Sequence, residues 1–589
     1  MRVSCTILAL VFASLFYSSV CVAQQQSASA ASSQKPTGTI TGRVINSDGE
    51  RLVGATVYAN GVGSNLRRQS ATTDTNGDFK IERLDAGLYQ LTAAMPGYVP
   101  LFLMRSNESP NYYRIGDSVT LTLFKGGVIT GTVAGPDGPL IAAGVFATRV
   151  RDEAGKKLAS PIGFNERQTD DRGVFRFYGL PPGGYLLSAG KPRIGLLAPT
   201  AYDAYAPTYF PSATRDNASE ILVHEGDEVT ADIQFRAATG YIVSGKVAGV
   251  FVPEIGFAQG ATLALTNVRN RTEITTTGTT NEDSGFAFYG VPEGEYEVVA
   301  SQYLQSRDEL KSAPRRVTVR GADVNGIDLT LAQQASIEGR IIFEHDPKAA
   351  CATRRETAAQ ETLVYVRQFE SKGAPPAETE AAEPPPAPAN YASLAVGDAK
   401  GSFIFRNLPP GSYVIDPVAP ASGWYARSVA IASASLRAPR TAVGSSLGEG
   451  ISVKSGERIS GVTITIAEGA AKLRGKITLA EGQSLSANLR VYMIPAEREN
   501  ADNVLRFYEA RPDADRSFTI DNVAPGRYLI VARLREENDL GTAKVIRQDG
   551  TFRAKVVHDA EALKKDVVFK PCEQLADYQL PYSPPTSQQ

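Results

Sequence analysis

The sequence predicts an all-β protein, a tandem array of five β-sandwich domains, and three observations carry that reading. The first is a phrase that returns five times with fixed spacing: Phe79, Gly87, Tyr89; Phe175, Gly183, Tyr185; Phe286, Gly294, Tyr296; Phe403, Gly411, Tyr413; and Phe518, Gly526, Tyr528. In every copy the glycine follows the phenylalanine by 8 residues and the tyrosine follows it by 10. A copied supersecondary unit decides architecture before local propensity can. The second is alternation on either side of that glycine. Phe79/Ile81, Phe175/Phe177, Phe286/Phe288, Phe403/Phe405 and Phe518/Ile520 precede it, while Tyr89/Leu91, Tyr185/Leu187, Tyr296/Val298, Tyr413/Ile415 and Tyr528/Ile530 follow. Period-2 spacing of aromatic and branched residues marks a half-buried strand. The third is a Gly-x-Val/Ile landmark upstream of each phrase: Gly42, Gly131, Gly245, Gly339 and Gly475.

Each unit reads in the same order. The Gly-x-Val/Ile strand opens it, and a β-rich run such as 54–58, 143–146 or 363–366 follows. The Phe strand then ends in a turn written Asp-Ala-Gly, Pro-Pro-Gly, Pro-Glu-Gly, Pro-Pro-Gly or Ala-Pro-Gly. Proline presets φ and glycine supplies positive φ, so the chain reverses as a β-hairpin or β-arch. An alternating strand closes each unit, at 119–123, 229–235, 324–331, 462–466 and 567–569. About seven short strands per roughly 90–135 residues suit a two-sheet sandwich. Helical periodicity is confined to 559–565. The expected boundaries are 38–125, 126–236, 237–332, 333–467 with a Pro-rich insertion at 372–390, and 468–574, with a C-terminal tail at 575–589.

At this level of detail the residues resemble a known family. Gly42-Arg-Val44, Gly54-Ala-Thr-Val57, Thr73-Asp-Thr-Asn-Gly77-Asp-Phe79, Gly87-Leu-Tyr89 and Pro96-Gly-Tyr98 are similar to the carboxypeptidase regulatory-like domain. That resemblance implies a Greek-key, transthyretin-like topology, also described as a carbohydrate-binding-like fold. Over 38–574 the chain resembles exported multi-domain bacterial proteins, common in soil acidobacteria, in which such units run in tandem. Ala206-Pro-Thr-Tyr-Phe-Pro211 and Lys570-Pro-Cys572 fit that group. Copies three to five depart from the pattern in the second strand. A domain reused in many settings specifies fold and leaves function open.

Residues 1–23 carry Arg2, an apolar run from Ile7 to Phe16, and small or modest residues up to Ala23. This reads as a secretory signal peptide cleaved between Ala23 and Gln24. Lipidation at Cys21 is disfavoured because Val20 stands where a small residue is wanted. Residues 24–37 read as a disordered polar tether. Periplasmic, outer-surface and extracellular destinations all stay open. With 61 basic and 63 acidic residues the net charge is −2, which argues against nucleic acid or anionic lipid as the main partner. The mature chain retains Cys351 and Cys572. In an oxidising compartment this pair either forms a disulfide or stays as free or intermolecular thiols. A bond across so long a loop stabilises by up to about 5 kcal/mol in the chain-entropy account.

The motifs that invite chemistry have plainer explanations. His558-Asp-Ala-Glu561 matches His-x-x-Glu, but hydrolytic zinc needs a third ligand and a general base. His224, His345 and His558 fall in different repeats, and no metal or cofactor is expected. Asp74-Thr-Asn-Gly-Asp78 places its glycine fourth, where a helix-loop-helix calcium loop needs it sixth, and so reads as a hairpin turn. The opening strands carry Arg43, Thr132, Lys246, Arg340 and Lys476, with no shared lysine for isopeptide cross-linking. Aromatics remain: Tyr112 and Tyr113, Tyr202, Tyr205, Tyr209 and Phe210, and Trp424 with Tyr425. On loops they suit stacking against sugar rings, or else they cap a sandwich end or wedge neighbouring domains. The tyrosine after each glycine is expected in the core, its hydroxyl bonded to a nearby loop as in a tyrosine corner. The reading is a non-enzymatic exported binding or scaffold protein with an unidentified protein or polysaccharide partner.

Overall fold

The computed structural model describes residues 37–582 except 64–67, 105–110, 165, 191–200, 252–259, 271–272, 278–283, 348–350, 352–356, 370–391, 432–449, 480–484, 487, 537–544 and 548. The expected signal peptide with its Ala23–Gln24 cleavage position, the expected tether up to 36 and the Pro-rich insertion expected at 372–390 lie outside the described residues.

All five sandwiches share one plan. In the first, the opening strand Thr37–Asn46 is central to one sheet. The Phe strand Asp78–Asp85 lies antiparallel on one side, and the closing strand Ser118–Lys125 lies parallel on the other. The second sheet runs Gln69–Thr72, Thr56–Gly61, the tyrosine strand Leu88–Ala94, then Tyr113–Arg114, with every pairing antiparallel. The opening strands of the later copies are Gly127–Gly135, Tyr241–Ala248, Ala335–Glu344 and Ala471–Leu479. Each has its closing strand parallel beside it: Glu228–Thr230 with Ile233–Gln234, Val324–Thr330, Arg458–Glu468 and Gln574–Tyr582.

The Phe strand and the tyrosine strand therefore belong to opposite sheets, so the repeated phrase is an arch. Its alternating apolar residues face each other across the core, where Phe79, Phe175, Phe286, Phe403 and Phe518 are all buried. The Asp74–Gly77 turn also crosses between sheets, from Gln69–Thr72 to Asp78–Asp85, and is not the hairpin its sequence suggests. Asp74 Oδ1 accepts the backbone N–H groups of Asn76 at 2.8 Å and Asp78 at 3.0 Å. Asp170 and Asp398 do the same for Arg172 with Val174 and for Lys400 with Ser402. These carboxylates organise turns.

Crossing from sheet to sheet within a few residues leaves a carbonyl pointing inward, and a buried carbonyl needs a donor. The repeated tyrosine supplies it. Tyr89, Tyr185, Tyr296, Tyr413 and Tyr528 each donate their hydroxyl to the carbonyl four residues back, at 2.9, 2.5, 2.9, 2.6 and 2.7 Å. The acceptors are Asp85, Pro181, Pro292, Pro409 and Ala524, the first residue of every turn. The opening glycine has a different cause. A Cβ on Gly42, Gly131 or Gly245 would stand 1.9–2.1 Å from a closing-strand carbonyl oxygen, those of Val119, Ala231 and Ile327. At Gly475 it would meet the Phe518 ring at 2.4 Å. No side chain fits beneath the parallel neighbour.

Three elements differ from expectation. The fifth sandwich closes on Gln574–Tyr582, inside the stretch read as a tail, while Asp566–Phe569 pairs with the tyrosine strand Gly526–Leu534. Its Asp577 sits at φ +59°, a bulge that breaks the alternation by which a strand is recognised in sequence. A 14-residue helix, Gly550–Leu563, begins well before the expected 559 and is capped by Asp549, whose Oδ1 accepts from Phe552 N at 2.8 Å. Its Phe552, Val556 and Ala560 cover Tyr492, Ile494 and Val531 on the outer face of the fifth sandwich. Finally, Trp424–Ile431 is a strand rather than a loop, adding to the edge of Arg458–Glu468.

Replacing Tyr185 by Phe strands the Pro181 carbonyl and should cost about 1–3 kcal/mol. Faster hydrogen exchange along Gly183–Gly190, with distant units unchanged, is the expected readout. Burial also pushes the Tyr89 and Tyr296 hydroxyls up to about 12, with the Asp85 charge adding at Tyr89, and raises Tyr185 and Tyr528 further. Unfolded tyrosine ionises near 10, so the unfolded chain gives up these protons first. Stability should be intact below about pH 10 and lost as pH rises through about 12, measurable by urea titration at stepped alkaline pH.

Candidate functional site: the junctions between sandwiches

Backbone hydrogen bonds and short connections join each sandwich to the next. At the first junction only Gly126 separates the closing strand Ser118–Lys125 from the opening strand Gly127–Gly135. Gly126 N donates to Gly97 O at 2.7 Å. Glu225 Oε1 of the second sandwich accepts from Ser47 Oγ at 2.7 Å and Lys125 N at 2.9 Å. The fully buried Arg149 sends Nη1 across to Leu103 O at 2.9 Å and Nη2 to Pro182 O within its own sandwich. At the second junction, Ala206 N donates to Ala238 O and Gly240 N to Ala204 O, both at 2.9 Å.

At the third junction the Asn407 amide is used at both ends. Its Oδ1 accepts from Glu309 N at 2.7 Å and its Nδ2 donates to Arg307 O at 3.1 Å, while Arg406 pairs with Asp308 at 2.8 Å. At the fourth, Gly469 N and Ala470 N both donate to Gly423 O, at 2.9 and 3.0 Å. Asn522, its amide nitrogen turned toward the preceding sandwich, donates to Ala421 O at 3.1 Å and Trp424 O at 3.3 Å. Arg547 Nη1 reaches Asp416 Oδ1 at 2.6 Å, while its Nε donates to Phe507 O at 2.7 Å and its Nη2 to Leu505 O at 3.2 Å. Val504 and Leu505 of the fifth sandwich pack into the core of the fourth. Cys351 and Cys572 are joined by a disulfide, 221 residues apart in sequence, tying the fourth sandwich to the fifth.

The aromatics weighed for stacking on sugars are engaged with protein. Trp424 is 1% exposed, its ring against Phe343 at 5.3 Å and His345 at 5.0 Å. As part of a strand it turns into the core, so the open face that a loop would give it does not exist. Tyr202 and Tyr205 set their rings edge-on to Phe235 at 6.2 and 5.9 Å, and Tyr202 donates its hydroxyl to Ile141 O at 2.6 Å. Phe210 packs on the same core, and Tyr209 lies in a short strand paired with Ser188. Tyr425 is partly buried, and burial raises its hydroxyl pKa. His558 and Glu561 are exposed positions on the helix Gly550–Leu563, and no group of three or more metal-ligating side chains occurs among the described residues. Sequence reading missed Asn407, Asn522, Asp416, Arg547 and Arg149. Only the two asparagines leave a trace, at the same place in their phrases.

Residues 39–103 match the carboxypeptidase regulatory-like domain model. No curated protein sequence matches the chain. Among solved structures, the Bacillus anthracis TIE protein is 18% identical at a TM-score of 0.14, over 50% of this chain and 51% of its own. The chain thus spans about half the length of that protein. The minor pilin GBS52 of Streptococcus agalactiae is 15% identical at a TM-score of 0.19, over 37% of this chain and 99% of its own. Two B repeat units of the Staphylococcus aureus collagen binding protein give 11% identity and a TM-score of 0.13, over 74% of this chain and 100% of theirs. Scores this low carry no argument about this chain.

Replacing Arg547 by Ala should leave the Asp416 carboxylate and two carbonyls without their donor, at the low end of about 3–5 kcal/mol for a broken buried pair. Calorimetry should show the transition containing the last two sandwiches shifted down and the others unmoved. Arg547→Lys should fail to restore it, since a single ammonium cannot serve three acceptors spread around a guanidinium.

Proposed function

We propose that this chain is a non-catalytic, exported spacer and scaffold of the cell envelope, holding its sandwiches at set orientations for protein interaction. The observation that carries this is the construction of the junctions. Inter-domain contacts that leave domains free to move are small and polar, with exposed linkers between them. Here a single residue, Gly126, forms the first connection, and backbone donors from the first, second and fourth connections bond the preceding sandwich. A disulfide spanning two sandwiches fits an oxidising destination, in keeping with the expected signal peptide. No helix among the described residues is long and apolar enough to cross a membrane.

The test is a distance measurement by double electron–electron resonance between spin labels at Glu153→Cys and Arg320→Cys, on the second and third sandwiches, in the oxidised mature chain. A single narrow distribution is expected. A broad one would mean beads on a string and would end the scaffold reading. In parallel, the mature chain should fail to co-sediment with insoluble polysaccharides or peptidoglycan; binding abolished by Tyr209→Ala would reinstate a sugar site.

A further inference from the structure

Each Phe strand contains one residue in the left-handed region, always six before the repeated tyrosine. These are Arg83 (φ +57°), Gly179 (+67°), Gly290 (+68°), Asn407 (+60°) and Asn522 (+58°). The pairing with the opening strand slips at this point in all five copies, so the residue is a β-bulge at the end of the sheet. In the third to fifth sandwiches the bulge residue contacts the preceding sandwich, whereas a Cβ at Gly179 would meet nothing within 4 Å.

The identity of the bulge residue goes with that of a second position, five before the opening glycine. The pairs are Gly126 with Gly179, Gly240 with Gly290, Gln334 with Asn407, and Ala470 with Asn522. Where both are glycine, backbone rests on backbone. A Cβ at Gly126 would lie 2.5 Å from Gly179 Cα, and one at Gly240 would lie 2.5 Å from Gly290 Cα. At Gly290 itself a Cβ would meet Tyr205 O of the preceding sandwich at 2.5 Å. Where the second position carries a side chain, the bulge carries an asparagine whose amide spans to the preceding sandwich: Asn407 to Arg307 and Glu309, Asn522 to Ala421 and Trp424. The first sandwich has no sandwich before it among the described residues. Its bulge is Arg83, exposed, with Thr37 at the second position.

We propose that this left-handed position is the docking determinant for the preceding sandwich, with glycine specifying direct backbone abutment and asparagine an amide clasp. Glycine takes positive φ without steric cost, and asparagine is among the few side chains that tolerate it. Asparagine also presents a donor and an acceptor on one short arm, matching the N–H and C=O of a facing loop. The backbone requirement of the bulge therefore selects the two residues best suited to reading a neighbouring main chain. At Arg83 the exposed bulge carries neither of these two residues. This inference rests on the scaffold reading, because it names the residue that sets the orientation.

Asn407→Gly tests it, since glycine keeps the left-handed backbone and removes only the amide. Spin labels at Arg320→Cys and Ser452→Cys straddle the third junction; a pair at Glu338→Cys and Ser452→Cys, both within the fourth sandwich, reports on its folding. The expected result is a narrow inter-sandwich distribution in the parent chain, lost to a broad one in Asn407→Gly while the internal pair is unchanged. A distribution that stays narrow in the variant would overturn the docking role and leave the scaffold standing. A broad distribution already present in the parent would overturn both. Gly240→Ala supplies the converse case: the second junction, read by the Glu153→Cys and Arg320→Cys pair, should shift its mean distance, and an unmoved distance counts against the proposal.

Discussion

Each sandwich depends on a crossing from one sheet to the other in a few residues without leaving a buried carbonyl unpaired. The tyrosine hydroxyl meets that need from within the phrase, bonding the carbonyl four residues back in all five copies. Its ring lies in the core while its hydroxyl holds the turn, so one side chain couples packing to backbone satisfaction. This explains why the spacing stays fixed while the residues between vary. Inserting one residue would move the ring to the other face of its strand and strand the carbonyl together.

The arch also creates the bulge. For the Phe strand to leave its sheet and cross, it sheds its register with the opening strand, and the extra residue takes positive φ. That residue lies at the end of the sheet, where the next contact is another sandwich. A local backbone constraint and an inter-domain contact thus fall on one position. At the fourth junction further contacts reinforce it: Arg547 with Asp416, the inserted Val504 and Leu505, and the disulfide.

What the sequence made legible was short-range. The Phe–Gly–Tyr spacing and the Gly-x-Val/Ile landmark can each be read within a dozen residues, and both name true strands. The junctions were illegible because their partners lie far apart: Asn407 and Glu309 are separated by 98 residues, Arg547 and Asp416 by 131. The strand at Trp424 reads as a loop in sequence because it carries a register shift between Ala426 and Ser428, which breaks the period-2 signal. The last closing strand was missed for a similar reason, since Leu575 and Tyr578 both turn inward across the Asp577 bulge. Bulges hide strands from pattern reading, and in this fold they are where the architecture is decided.

The direction of the closing strand completes the argument. Because it runs parallel to the opening strand, the chain leaves each sandwich at the end opposite to its entry. An antiparallel closing strand would return the chain to the entry end, and successive units would compete for one face. The parallel neighbour is possible only because the opening glycine lets a carbonyl pass where a Cβ would stand. The chain then begins the next opening strand within a few residues, so its first residues face the next bulge. The glycine that permits the parallel strand and the left-handed residue that meets the neighbour are therefore two parts of one device, the first directing the chain out of a sandwich and the second fixing how the following one is seated.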